Sequence, residues 1–178
     1  MLGAKAGRVA ITGKAEGEGT YLEHDGILVA GDEQRFKLIA ELDHHGRHTE
    51  GLMRYKGILK DKSYSDLDGL IRVGRNAAKS SSRLEEHTLL LSEQARCDAL
   101  PALDIQTNDV QVSHSASVSQ ADSERIFYLM SRGLSKDQAR QLLVEGFFEN
   151  ILQVIQNPAW YEQVKALIEA KLSQTPSV

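Results

Sequence analysis

Between residues 37 and 118 the chain repeats one device, a short run of alternating apolar and polar residues cut off by glycine or a polar corner. In Leu67-Asp68-Gly69-Leu70-Ile71-Arg72-Val73, positions 67, 69, 71 and 73 share one side. Val110, Val112, His114, Ala116 and Val118 likewise share a side, opposite Gln111, Ser113, Ser115, Ser117 and Ser119. Such period-two runs read as β-strands. They fall near Lys37–Asp43, Leu52–Lys60, Asp66–Val73, Arg83–Ser92, Leu103–Thr107 and Val110–Val118, and recur every 12 to 18 residues. Earlier in the chain, Arg8–Thr12 and Thr20–Ala30 read as two further strands joined by a glycine-bearing loop. Short strands with irregular corners suit a sandwich, a barrel or a parallel β-helix, and periodicity alone leaves all three open.

Near residue 120 the grammar changes to helices. Asp122 reads as an N-cap, with Ile126, Phe127 and Met130 on one face and Gly133 as a stop. Ser135 and Gln138 form a capping-box signature ahead of Ala139, Leu142, Leu143, Phe147, Ile151 and Ile155 at helical spacing. Asn157-Pro158 supplies a cap and a first-turn proline for a third helix. The tail, 173–178, is expected to fray.

Composition excludes several functions. With 178 residues the chain is long enough for a real core. A net charge of −4 argues against a sequence-blind grip on phosphate backbones, and 6% aromatics against stacking platforms for single-stranded nucleic acid. No apolar run approaches the roughly 20 residues of a membrane span, and Met1–Lys5 lacks a signal-peptide stretch, so a cytoplasmic protein is expected. One cysteine, Cys97, rules out an internal disulfide and any CxxC site.

Candidate chemistry is sparse. His44-His45-Gly46-Arg47-His48 has metal-binding residue types, but Gly46 breaks helical phase, and a structural or solvated-turn role is the better reading. His114 is the polar member of an apolar set, so a regular strand would bury it as a neutral imidazole. A satisfied core histidine and a ligand shielded from water are both compatible with that phase. Cys97 lies between Arg96, which favours its thiolate, and Asp98, which opposes it. Glu85 and His87 share one side of their strand and Glu86 takes the other. No P-loop, GxGxxG, GxSxG or HExxH motif occurs, so no enzyme reading has a motif behind it. A β-helix enzyme acting on carbohydrate would rest on fold analogy alone.

One ordered set of segments is distinctive: Leu89–Ala95, Pro101–Ile105, Asn108–Val118, Asp122 and Phe127-Tyr128-Leu129-Met130-Ser131-Arg132-Gly133-Leu134. With Tyr55–Ser63, Gly69–Val73 and His44-His45-Gly46 upstream, it resembles the C-terminal region of the SufB/SufD family of iron–sulfur cluster assembly proteins over roughly 36–152. The resemblance implies a short right-handed parallel β-helix over 36–120, N-terminal strands or a cap over 1–35, and a helical domain over 121–178. It implies a scaffold rather than an enzyme, pairing as a homodimer or with a SufB/SufD-type paralogue. The helices would dock the ABC-type ATPase SufC, with Phe127, Tyr128, Arg132, Leu143 and Phe147 as partner contacts. Ser113-His114-Ser115-Ala116-Ser117 matches a SufD-type segment reading S-H-G-A-T, so His114, with Cys97, becomes a candidate ligand for a transient iron–sulfur cluster at a dimer interface. Ser115 stands where SufB proteins carry glutamate, and Val112 where SufD proteins carry cysteine, so the chain lacks part of the ligand set. A shortened paralogue without cluster chemistry is the alternative.

Overall fold

The computed structural model describes residues 4–173; of the tail expected to fray, 173–178, Ser173 ends the last helix and the rest lies outside the described residues. Nine strands precede three helices: β1 (Ala6–Ala15), β2 (Tyr21–Ala30), β3 (Arg35–His44), β4 (Glu50–Leu59), β5 (Tyr64–Val73), β6 (Ser80–Leu90), β7 (Arg96–Ala99), β8 (Ala102–Ile105), β9 (Val110–Gln120), then α1 (Ser123–Ser131), α2 (Lys136–Leu152) and α3 (Pro158–Ser173). All strand pairs are parallel and fall into two sheets, β1-β3-β5-β7 with β8 also on β5, and β2-β4-β6-β9. This is a β-solenoid of four coils, one strand per sheet in each coil. The sequence spacing of strands is therefore half a coil.

Register holds the coils together. Ala6 pairs with Arg35 and Arg35 with Tyr64, a 29-residue step, and Ser80 pairs with Val110, a 30-residue step. Because side chains alternate across a strand and directly paired residues of a parallel ladder point the same way, this register keeps the same set inside on every coil, although the step varies from 29 to 32 residues. That set fills the lumen with Ala40, Leu42, Met53, Tyr55, Ile71, Val73 and Leu84. The outer faces carry ladders of opposite charge: Arg72 binds Glu41 and Asp43, Arg54 binds Asp25 and Glu23, and Lys37 meets Asp68 at 2.7 Å. Such exposed pairs contribute little singly, but across strands they disfavour slipped registers.

Corners repeat as the strands do. Asp32 and Asp61 occupy equivalent places on successive coils, both at positive φ, and so do His48 and Lys79. The Asp32 N–H donates to the Asp61 carboxylate at 2.9 Å, and the Asp61 N–H to Ser92 Oγ at 2.8 Å. At the His44-His45-Gly46 turn, the N–H groups of His45 and Gly46 both donate to the Ala15 carbonyl, at 2.9 and 3.0 Å. A Cβ at Gly46 would overlap the Gly17 carbonyl, so glycine is required there by backbone contact rather than by φ.

The same turn places His44 inside the lumen, 1% exposed. Its Nδ1 lies 2.7 Å from Thr49 Oγ1, which lies 2.7 Å from Ser80 Oγ, a polar relay across adjacent coils. Burial holds the imidazole below its ordinary pKa, and Nε2 has no protein partner.

The helical segments follow the expected caps. Asp122 accepts from the N–H groups of Glu124 and Arg125, and Ser135 and Gln138 complete the capping box. Gly133 takes φ +97° just beyond α1. Helices α2 and α3 lie on the outer face of the second sheet, where Val144, Phe148, Leu152 and Ile168 pack with Ile58, Ile27, Val29 and Leu89. No helix among the described residues is long and apolar enough to cross a membrane.

Two outcomes follow from these contacts. Gly46→Ala should lower unfolding stability by about 1–3 kcal/mol, read by urea denaturation, since the clash is with backbone that cannot rotate away. As for His44, a depressed imidazole pKa means the unfolded chain takes up the proton first as pH falls. Its stability contribution is complete above about pH 6.5 and declines below it, by up to about 1.4 kcal/mol per pH unit. Denaturation at stepped pH should show this slope in the wild type, and His44→Gln should lack it.

Candidate functional site

The solenoid ends on β9. Its outer neighbour positions are empty among the described residues, so an eleven-residue strand presents an edge of backbone donors and acceptors. Gln111, Ser113, Ser115, Ser117 and Ser119 face outward, as the alternation predicted, and Ser117 Oγ lies 2.7 Å from His87 Nδ1. The other side of β9 has lumen phase, because His114 pairs with Leu84, Ala116 with Glu86 and Val118 with Thr88.

Phase and burial part company here. Leu84 is fully buried, yet His114 one coil further on is exposed, and so are Ala116 and Val118. Burial of His114 inside an apolar face, expected from its spacing, does not occur in the single chain. The reason is topological. A lumen residue is covered by the opposite sheet and by the next coil, and β9 has no next coil. The opposite strand is also broken into β7 and β8 at Leu100-Pro101, where proline offers no N–H and Leu100 is 65% exposed.

Cys97 sits on the lumen side of β7, in register with Ser65. Its Sγ is 3.4 Å from Ser65 Oγ and 3.4 Å from Thr88 Oγ1. Burial pushes the thiol pKa up, more than these two hydroxyls bring it down. Cys97 and His114 thus share the last coil, one half-buried and one exposed. No group of three or more His, Cys, Asp and Glu side chains suited to a metal occurs among the described residues. The His44–His48 stretch is not a cluster either: His44 is buried, while His45 and His48 are exposed, His48 facing Glu18 at 3.9 Å.

The second candidate surface is helical. Helix α1 buries no residue; Phe127 is 73% exposed and Tyr128 55%, with the Arg132 guanidinium 5.1 Å from the Tyr128 ring centre. Leu143 and Phe147 are only half-exposed. Phe147 turns toward the solenoid, where Lys56 Nζ donates to its carbonyl and to Asn150 Oδ1 and lies 4.8 Å over its ring. Leu142, Trp160 and Leu167 are the exposed large apolar side chains of α2 and α3; helical spacing put Leu142 in one apolar set with the buried residues, because both faces of α2 carry apolar residues.

Glu86 went unassigned from sequence, although its phase opposite Glu85 and His87 already pointed it inward. It is 1% exposed, and Oε2 has no hydrogen-bond partner. Burial, with a smaller effect from Asp68, pushes its pKa up to about 7.

The family model for the SUF system FeS cluster assembly SufBD core domain matches residues 1–147. The chain belongs to the SufBD family. It is 33% identical over 156 residues to the iron–sulfur cluster assembly protein SufD of Bacillus subtilis, covering 88% of this chain and 36% of that protein. It is 32% identical over 131 residues to SufD of Escherichia coli, covering 74% and 31%. A SufBD family protein of Pyrococcus horikoshii is 31% identical over 172 residues, covering 97% and 38%. The chain therefore spans about a third of the length of these relatives.

The burial contrast on α2 can be measured directly. Phe148→Ala should cost about 3–5 kcal/mol of stability, since Phe148 is 1% exposed at the joint of solenoid and helices. Leu142→Ala, on the exposed side, should stay within about 0.5 kcal/mol in the same denaturation assay.

Proposed function

We propose that this chain acts in iron–sulfur cluster assembly as a SufD-like scaffold subunit rather than as an enzyme. The observation that carries the reading is the open end of the solenoid, where β9 offers a long unpaired edge with His114 exposed on its lumen side. A second SufB/SufD-type chain, or a second copy, adding its own edge strand would pair those backbone groups and cover His114, Ala116 and Val118. In that joint His114 becomes shielded, as its phase anticipates, and offers an imidazole nitrogen to a cluster carried as cargo. Cys97 in the same coil is a second donor once its thiol is deprotonated. One imidazole and one thiolate fall short of the roughly four ligands a cluster takes, so the partner supplies the rest.

The α1 surface is the proposed dock for a SufC-type ABC ATPase. Phe127, Tyr128 and Arg132 are exposed in this chain, and aromatic and arginine side chains dominate binding where they are desolvated at a partner's surface. A groove of about 720 Å³ between α2, α3 and the Lys60-Asp61 corner, floored by Val144, Phe148 and Leu172, adjoins these helices.

Co-elution and ATP turnover with the cognate ATPase test the reading. Stoichiometric binding is expected, and Phe127→Asp should weaken it at least tenfold with the thermal midpoint unchanged, because α1 has no buried residue. Reconstitution with iron and sulfide, followed by absorbance near the visible charge-transfer bands, should succeed in the paired protein and fall in His114→Ala. Binding and pairing without reconstitution would favour the shortened paralogue that keeps only its interaction surfaces. Loss of both would overturn the proposal.

A further inference from the structure

Glu86 has no role in the surfaces described above, and its surroundings are unusual. On the second sheet it lies between Tyr55 of β4 and Ala116 of β9. Across the lumen stands Gly69, where a Cβ would overlap Glu86 Oε1; the glycine makes room for the carboxyl. The Tyr55 hydroxyl is also buried without a partner, its pKa pushed up to about 12 by burial. A carboxylate with an unpaired oxygen in such a dry setting is costly, whereas the neutral acid is tolerated.

What separates this carboxyl from water is the last coil alone. Above Glu86 lies the small, exposed Ala116. Beside Gly69, which is itself buried, the strand pairing is interrupted, for Leu67 pairs with Ala99 and Leu70 with Ala102, which sets the Leu100-Pro101 break level with Gly69. The weakest point of the terminal coil therefore sits next to the group that most needs shielding.

We propose that Glu86 is a protonation latch on the terminal coil: as the neutral acid it lets β7, β8 and β9 close over the lumen, and as the carboxylate it draws water in, opens that coil and uncovers Cys97. The latch acts in the single chain, with the β9 edge unpaired. The titratable groups around the carboxyl are Tyr55 on β4, Asp68 on β5, Cys97 and Asp98 on β7, and His114 on β9 one lumen position from Ala116; Asp68 is already engaged by Lys37 at 2.7 Å. Asp68 raises the proton affinity of Glu86 further, in the same direction as burial.

The sign of the effect is fixed by linkage. The closed coil holds the Glu86 proton to about pH 7, and the open coil releases it at an ordinary carboxyl pKa near 4.5. Opening therefore becomes easier as pH rises between those values and levels off above 7. Between pH 5 and pH 8 the open fraction should grow on the order of 50- to 100-fold.

Because Cys97 is the single cysteine, a pyridyl disulfide, which reacts with thiols even at pH 5, reports this coil alone. The rate in the wild type divided by that in Glu86→Gln, taken at each pH, cancels the intrinsic titration of thiol and reagent. The ratio should climb at least tenfold from pH 5 to pH 7 and flatten by pH 8. A constant offset between the two proteins reports packing and leaves the expected slope intact. A purely electrostatic influence of the carboxylate on the thiol would make the ratio fall, and a flat or falling ratio overturns the proposal. Should Glu86→Gln fail to fold, amide exchange of the wild type serves instead. After correction for chemical exchange, protection in β7 and β9 should drop over this pH range relative to β3, and equal behaviour of all three overturns the latch.

Discussion

The parallel ladder between successive coils is the constraint on which the rest depends. Direct pairing of residues one coil apart places the same face of every strand inside, and a one-residue slip would turn the whole apolar set to solvent. Corner residues enforce the step. Asp32 and Asp61 bend the chain at matching points, and Gly46 lets the His44 turn press against the Gly17 backbone. Charge ladders outside and the lumen packing inside follow from that stacking, and neither would exist in an isolated coil.

A stack of this kind has no intrinsic end. Each interior coil is covered twice, and the last is covered once, which is why Leu84 is buried and His114, a coil further on with the same phase, is not. The features proposed to carry function gather where that cover is missing: the β9 edge, His114, Cys97, and the carboxyl of Glu86 just beneath. The helices solve a different problem. Helices α2 and α3 shield the outer face of the second sheet at Ile58 and Leu89, while α1 buries no residue and leaves Phe127 and Tyr128 exposed.

Strands, helix caps and inward or outward phase could all be read along the chain, since they depend on neighbours in sequence. Asp122, Ser135 with Gln138, and Gly133 act within one helical turn, and each does what its spacing predicts. The serine side of β9 and the division of Glu85 and His87 from Glu86 follow from the period-two pleat. Ordered segments from Tyr55 to Leu134 were also enough to identify the SufB/SufD resemblance that the family comparison bears out.

What could not be read was anything set by contact between coils. Periodicity left sandwich, barrel and β-helix open, because a strand's own alternation is the same whichever strand it pairs with. His114 carries the phase of a buried residue, and only the missing fifth coil and the break at Leu100-Pro101 make it exposed. Phe147 sits at helical spacing with Leu143, yet Lys56, 91 residues earlier, turns it toward the solenoid. Pleat, caps and family are local or additive properties and can be read along the chain. The tertiary structure decided which phase-correct residues are covered, since burial depends on how many coils lie on either side.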